Sequence, residues 1–389
     1  MLLFLLSPAS LSPAALSPAA LQQGASLPPR HSHSAFDGLL PEWLPGGMLV
    51  EILLGTVLVI SICSVLPMLF TWAERRLSGR IQQRQGPNRV GPFGLIQALA
   101  DGVKLLFKED IIPASASRFL FALAPGIVLA GTFGAFAMLP FSNQAILVDT
   151  PLSIFVIASL LSIEVIGVIL AGWASNNKWS ILGAMREAAQ MVSYEIPMGL
   201  CFLLAVASYG TLNLREMSLM QAGGALNVGN WLVFHNPFFA APAFVIFYIA
   251  LLANTKRAPF DLPEAESELV SGFHTEYSGI RFSFFFLAEY AAMFLVSGIA
   301  VFLFLGGWNI PFVPGELLVG SIGGEALAAL SVLLKSTLLV LIMIWIRWTL
   351  PRIRIDQVMN LCYKYLTPIA LVCLIGTVFW EQYVARLGS

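Results

Sequence analysis

Between Lys256 and Gly279 the chain reads KRAPFDLPEAESELVSGFHTEYSG, and Asp261, Glu264, Glu266, Glu268 and Glu276 fall within the sixteen positions 261–276. Two chemistries suit such a run. Asp261-Leu262-Pro263-Glu264 has the D-x-x-E spacing of a capping-box variant opening a helix. Proline is tolerated in a first turn and carboxylates there are favoured by the helix dipole. Capping of a solvated helix accounts for Asp261 and Glu264. It accounts less well for Glu266, Glu268 and Glu276, which lie beyond the first turn. The other chemistry is proton exchange. On a helix Glu264 and Glu268 share a face at i,i+4 and repel. Repulsion and partial burial raise carboxylate pKa values toward neutrality, whereas a helix N-terminus or a nearby Arg lowers them. A cluster under those opposed influences answers a nearby change of charge by moving a proton.

A second set of ionisable residues sits inside apolar runs: Glu164, Glu195, Glu289 and Lys335. A charge at the centre of a bilayer costs on the order of 2.5–3.5 kcal/mol on insertion scales and by default marks a pathway. Glu195, in SYEIP near one end of its run, can snorkel to the interface instead. Glu164, near the middle of its run, has no such escape. A third stretch, FTWAERRLSGRIQQRQGPNRVGPFG, sets Trp72, Glu74, Arg75 and Arg76 where an apolar run ends. Interfacial anchoring accounts for Trp72, Arg75 and Arg76. It does not account for the basic, turn-rich continuation through Arg80, Arg84 and Arg89, which suits docking against another protein. In a fourth, Leu95, Leu99, Val103, Leu106 and Phe107 recur at helical spacing around Asp101, Lys104 and Lys108, an amphipathic helix at an interface. Asp101 and Lys104 can pair at i,i+3, so Asp101 is a structural support or part of a lining.

The elements that must position these residues are transmembrane helices. Hydrophobic residues make up 58% of the chain and DEKR 11%, with mean hydropathy +0.81; a soluble domain carries roughly 25% charged residues. The apolar runs reach the ~20 residues a spanning helix needs and lack the alternation of barrel strands. The expected fold is an all-α, polytopic bundle of about eight spans, near 48–72, 118–140, 151–174, 190–209, 238–255, 282–307, 325–349 and 365–385. Long cytoplasmic loops carry amphipathic helices. Of the 21 Lys and Arg residues, all but Arg30, Arg215, Arg386 and the intraspan Lys335 fall in the connections after spans 1, 3, 5 and 7. That asymmetry places those connections in the cytoplasm or matrix and both termini outside. Residues 1–45 repeat an L-S-P-A unit and read as a disordered leader, with 46–389 the membrane domain. A signal peptide is the rival for the leader, without a basic n-region; a start codon set too far upstream is another. A net charge of −1 predicts no nucleic-acid partner. The four cysteines are scattered with no metal-ligand spacing, so no iron–sulfur cluster or metal is expected, and no dinucleotide or P-loop fingerprint is present.

Two of these passages, GLIQALADGVKLLFKED (Gly94 to Asp110) and RAPFDLPEAESELVSGFHTEYSG (Arg257 to Gly279), resemble the two signatures of the family of NADH dehydrogenase subunit 1. The same family supplies a membrane subunit of the bacterial NADH:quinone oxidoreductase, respiratory complex I. AERRLSGRIQQRQGPNRVGPFG resembles the family's segment leaving the first helix, and the likeness runs from about Met48 to the C-terminus. The resemblance implies a membrane subunit, without redox centres of its own, of a proton-translocating complex. Such a subunit binds quinone, with ubiquinone the expected species, in a chamber shared with a docked hydrophilic arm. It implies partners among the other subunits of the complex on the cytoplasmic side and along the membrane arm. The expected location is a bacterial inner membrane, or alternatively the mitochondrial one. Trp72, Glu74, Arg75, Arg76 and Asp101 become chamber candidates, with Phe273 and Tyr277 offering ring faces to an isoprenoid tail. Glu195, Glu264, Glu266, Glu268, Glu276 and Glu289 match the family's proton-coupling route; Asp261, Glu164 and Lys335 join them on position and burial cost. The alternatives are the anchor subunit of a membrane-bound hydrogenase or related complex, and a freestanding ion transporter. The latter would favour paired broken helices in an internal repeat, a pattern this sequence does not display.

Overall fold

The computed structural model describes residues 47–222, 227–263, 266–319 and 321–388. The Pro-rich leader and Glu264 lie outside them, as does the side chain of Glu266. The principal helices are α1 (Gly47–Ile81), α2 (Gln97–Phe107), α3 (Arg118–Ala137), α4 (Ser153–Ala174), α5 (Lys178–Tyr209), α6 (Ala240–Asn254), α7 (Gly279–Phe304) and α8 (Ile322–Thr349). The last, α9, starts at Ile355–Asn360, passes through a π-helical turn at Leu361–Leu366 and continues as Thr367–Gly388. No strand occurs among the described residues.

Seven of these helices are long and apolar enough to cross a membrane: α1, α3, α4, α5, α7, α8 and α9. Each corresponds to an expected span. In hydrocarbon a helix satisfies its own backbone groups, so apolar runs of this length have no other stable form. The centre of the bundle is α7, whose apolar stretch is 89% buried within the protein, and α1, α3, α6 and α8 pack around it. Small residues set the closeness of packing. A Cβ on Gly131 of α3 would lie 2.8 Å from the Leu160 carbonyl oxygen of α4, so only glycine lets these helices approach as they do.

Two elements depart from expectation, and both shape the site. The helix α5 begins at Lys178 rather than near 190 and runs 32 residues, about 48 Å at 1.5 Å per residue. Asn177 caps it, its side chain accepting from Trp179 N at 3.0 Å. That extra length carries Glu187 into the bundle. Conversely, α6 has only 15 residues, about 22 Å, short of the ~30 Å hydrocarbon thickness. The chain therefore turns while still inside the protein, with Lys256 at φ 53°. Thr255, Lys256, Arg257, Phe260 and Leu262 are all buried.

Candidate functional site

The early end of α6 drops two adjacent cations among four helices that each supply one carboxylate. Lys256 Nζ lies 3.5 Å from Glu164 of α4 and 3.3 Å from Glu187 of α5. Arg257 lies 3.3 Å from Glu74 of α1 and 3.0 Å from Glu289 of α7. Arg347 of α8 pairs with Glu74 as well, and Tyr290 donates its hydroxyl to Glu74 at 2.7 Å. Thr132 donates to Glu164 at 3.4 Å. The guanidinium of Arg257 also sits 4.2 Å over the ring of Tyr290. Outside any span, Arg257 is held even above its ordinary high pKa by Glu289, Tyr290 and Glu74, which outweigh its desolvation.

The cluster's charge does not cancel. Among the described residues it holds four carboxylates and three cations. Glu187 is 2% exposed and its Oε2 makes no hydrogen bond. Burying a charge in excess of its counter-charges costs several kcal/mol, which favours one proton held among the four carboxylates. The Lys256-Arg257 pair divides the cluster into two halves joined by one peptide bond. Each close ion contact is worth about 4 kcal/mol at an effective dielectric near 20. Moving a proton or charge in one half is therefore felt in the other.

A cavity of ≈ 170 Å³ opens onto this cluster. Glu164, Lys256, Glu289 and Arg347 line one part; Phe273, Phe282, Phe285 and Phe286 line another, with Val128 and His274. Lys256 lies 5.4 Å over the Phe273 ring. The wall that carries Phe273 is set by a close approach: a Cβ on Gly183 of α5 would fall 2.7 Å from Phe273 N. His274 packs edge-on to Phe273 and Phe282. Burial, reinforced by Lys256, lowers its pKa to about 4, so it is a neutral imidazole at neutral pH. Ionic groups and phenylalanine rings facing one cavity, with Phe273 edge-on to Phe285 and Phe282 stacked on Phe286, suit a flat ring with polar edges.

The other expected residues take several places. Trp72 Nε1 donates to the Phe93 carbonyl at 3.1 Å and Arg76 to the same oxygen at 3.0 Å, with Arg76 stacked between the Trp72 and Phe93 rings. They pin the loop that follows α1. Arg75 pairs with Asp101 of α2, which also accepts from Gln97 at 3.0 Å; Asp101 does not pair with Lys104. Tyr277 is buried, stacked on Phe121 at 4.0 Å with its hydroxyl donating to the Phe121 carbonyl at 3.2 Å, behind the cavity wall. Glu195 accepts from Ser162 at 2.7 Å, and Glu276 from Asn177 at 2.6 Å. Asp261 pairs with Arg352 at 3.0 Å and Glu268 with Arg186 at 2.6 Å. The hydrogen bond and charge of Arg186 hold the exposed Glu268 below the usual carboxylate range, opposite to what repulsion from Glu264 predicts. Lys335 stands apart, against residues 305–309 beyond the far end of α7. Sixteen residues from Glu289 to Leu305 make about 24 Å of helix.

Sequence reasoning missed five members: Glu187, Lys256, Arg257, His274 and Arg347. The cations read as topological anchors, and Glu187 read as loop. One signal was available. Lys256 and Arg257 follow the run whose apolar stretch is the shortest of the set, so they have the least reach to the interface.

Comparison with known proteins adds an independent finding. Residues 54–378 match a family model described as NADH dehydrogenase. The chain is 45% identical over 352 residues to the H subunit of the NADH-quinone oxidoreductase of Anaeromyxobacter dehalogenans, covering 88% of this chain and 84% of that one. It is 44% identical to the corresponding H subunit of Chlorobaculum parvum, covering 89% and 96%. It is 46% identical to NADH-quinone oxidoreductase subunit 8 of Rhodothermus marinus, covering 81% and 92%.

Proposed function

Because the chain belongs to the NADH dehydrogenase family, we propose that it is the membrane subunit of an NADH-quinone oxidoreductase that receives the quinone and starts proton coupling. The observation that carries this reading is the convergence of Glu74, Glu164, Glu187 and Glu289, from four helices, on Lys256, Arg257 and Arg347 beside an aromatic-walled cavity.

The proposed sequence begins with quinone passing from the bilayer along Trp72, Arg76 and the exposed face of α2. Its ring and tail meet Phe273, Phe282, Phe285 and Phe286. Electrons arrive from a centre held by a partner subunit, and reduction places negative charge near Lys256 and Arg347. Those cations are then drawn from Glu164, Glu187 and Glu74, Arg257 readjusts between Glu74 and Glu289, and the proton shared by the carboxylates shifts. Glu195, near Glu164's helix through Ser162, continues the line toward the rest of the membrane arm. The pairs of Asp261 with Arg352, Glu268 with Arg186 and Glu276 with Asn177 fasten the loop on the side where the hydrophilic arm docks, and Glu264 and Glu266 belong to the same proposed route. Ubiquinone and a bacterial inner membrane belong to the same proposal.

The experiment is Glu164→Gln and Glu289→Gln, singly and together, in the assembled complex. NADH oxidation by ferricyanide, which bypasses quinone, should be unchanged. Quinone-dependent turnover should fall about a hundredfold, the lower end of the loss of a proton-transferring group. Normal turnover and pumping in the double variant would reduce the cluster to a structural ion-pair network.

A further inference from the structure

Lys335, on α8, is held in a way that differs from every cation in the acidic cluster. Its Nζ lies 2.7 Å from the Leu305 carbonyl, 3.0 Å from that of Gly307 and 2.7 Å from that of Asn309. The ring of Trp231 covers it with its centroid 4.1 Å away. No ion pair joins it to a carboxylate among the described residues.

The three carbonyls belong to the segment just past the end of α7, where a helix leaves its last acceptors without donors and its dipole is negative. Neighbouring acceptors are already taken. Gln221 donates to the Phe302 carbonyl at 2.7 Å, Asn309 Nδ2 to that of Gly306 at 2.9 Å, and Ser331 to that of Trp308 at 2.6 Å. Gly306 at φ 81° and Gly307 at φ 53° fold the chain so that alternate carbonyls face one point. Nearby, the Oδ1 of Asn309 and the Oγ of Ser218, both on residues 0% exposed, make no hydrogen bond. The place is rich in acceptor oxygens, and the indole Nε1 of Trp231, beside Gly306, is a buried donor that makes no hydrogen bond.

We infer that the main-chain carbonyls of Leu305, Gly307 and Asn309, roofed by Trp231, form a monovalent-cation site that Lys335 occupies as a tethered ammonium. An ammonium has three hydrogens for three carbonyls. A neutral amine has two, and would turn its lone pair on the third oxygen. Dipoles of main-chain oxygens replace water around small cations in the same manner, and an indole face adds to the attraction. Lys335 is therefore a fixed positioning charge that closes the far end of α7, and it carries no proton during turnover. With the side chain removed, the site takes ammonium or potassium. The site does not rest on the acidic-cluster reading, whereas the pumping and quinone-activity readouts rest on the proposed function.

Two variants test it in the complete membrane complex. Lys335→Arg keeps a charge that does not come off; proton pumping per NADH should stay as in the parent. Assembly with NADH oxidation retained but pumping lost would show that Lys335 releases a proton and would overturn the inference. Lys335→Ala abandons three buried acceptors, so the yield of quinone-active complex should drop about tenfold or more. Added ammonium or potassium chloride should restore it several-fold, whereas tetramethylammonium chloride at equal ionic strength should not. Parent-like activity of Lys335→Ala without added cation, or failure of every cation to restore it, overturns the site.

Discussion

At the scale of single residues, the site depends on how few cations serve many carboxylates. Glu74 receives Arg257, Arg347 and Tyr290 at once. Replacing it with Gln leaves the buried Arg257 and the partly exposed Arg347 without their shared anion, and breaking a buried pair costs about 3–5 kcal/mol. Glu74→Gln is accordingly expected to lower the melting temperature of the detergent-solubilised complex sharply. Glu289→Gln leaves Arg257 its contact with Glu74 and should lower it far less. Equal melting temperatures for the two would show that Glu74 is not the keystone of the pairs. His274 gives a pH prediction. Its folded pKa, about 4, lies below the ordinary imidazole value of 6.5. The neutral form is thus favoured by folding, and the stability this contributes is complete above pH 6.5 and lost as pH falls toward 4. Between pH 6 and 8 the parent and His274→Asn should share one pH profile for quinone reduction. An inflection near 6.5 present in the parent and absent from the variant would mean that His274 titrates during turnover.

Among elements, the informative ones are those whose lengths differ from expectation. Spans were legible because a run of about 20 apolar residues has one stable form in a bilayer. The polar core was only half legible. Glu164 and Glu289 announced themselves because a carboxylate deep in an apolar run is costly. Lys256, Arg257 and Arg347 did not, because a cation just beyond an apolar run signals topology and a buried site equally well. For Lys256 and Arg257 it is the early end of α6, a helix packed on α5, α7 and α9, that decides between them. Glu187 was hidden by the same cause, as α5 extends beyond its apolar stretch. In the acidic loop the residue types were plain but their partners were not. Arg186 and Arg352 come from α5 and the segment before α9, remote in sequence. Packing at this scale is testable at Gly183. A valine there must displace the backbone at Phe273, and overpacking of this kind costs about 1–3 kcal/mol. Gly183→Val should raise the KM for a short-chain quinone while leaving NADH oxidation by ferricyanide intact. An unchanged KM would show that the position of the Phe273 wall does not matter to the substrate.

Across the whole molecule, one buried helix joins the acidic cluster to the carbonyl cradle of Lys335. At the first, α7 offers Glu289 to the cavity and both Glu289 and Tyr290 to Arg257. At the second, the carbonyls of Leu305, Gly307 and Asn309, just past its C-terminus, close around Lys335. Between them α7 is almost entirely enclosed by protein. The central claim is that the excess carboxylate of the cluster holds a proton that moves when quinone is reduced. Redox-triggered infrared difference spectroscopy of the reconstituted complex, with glutamate carbon-13 labelled, measures this most directly. A protonated-carboxyl band that shifts on quinone reduction and disappears in Glu164→Gln with Glu289→Gln is the predicted result. Glutamates fully ionised at neutral pH in both redox states, or a band indifferent to those substitutions, would contradict it.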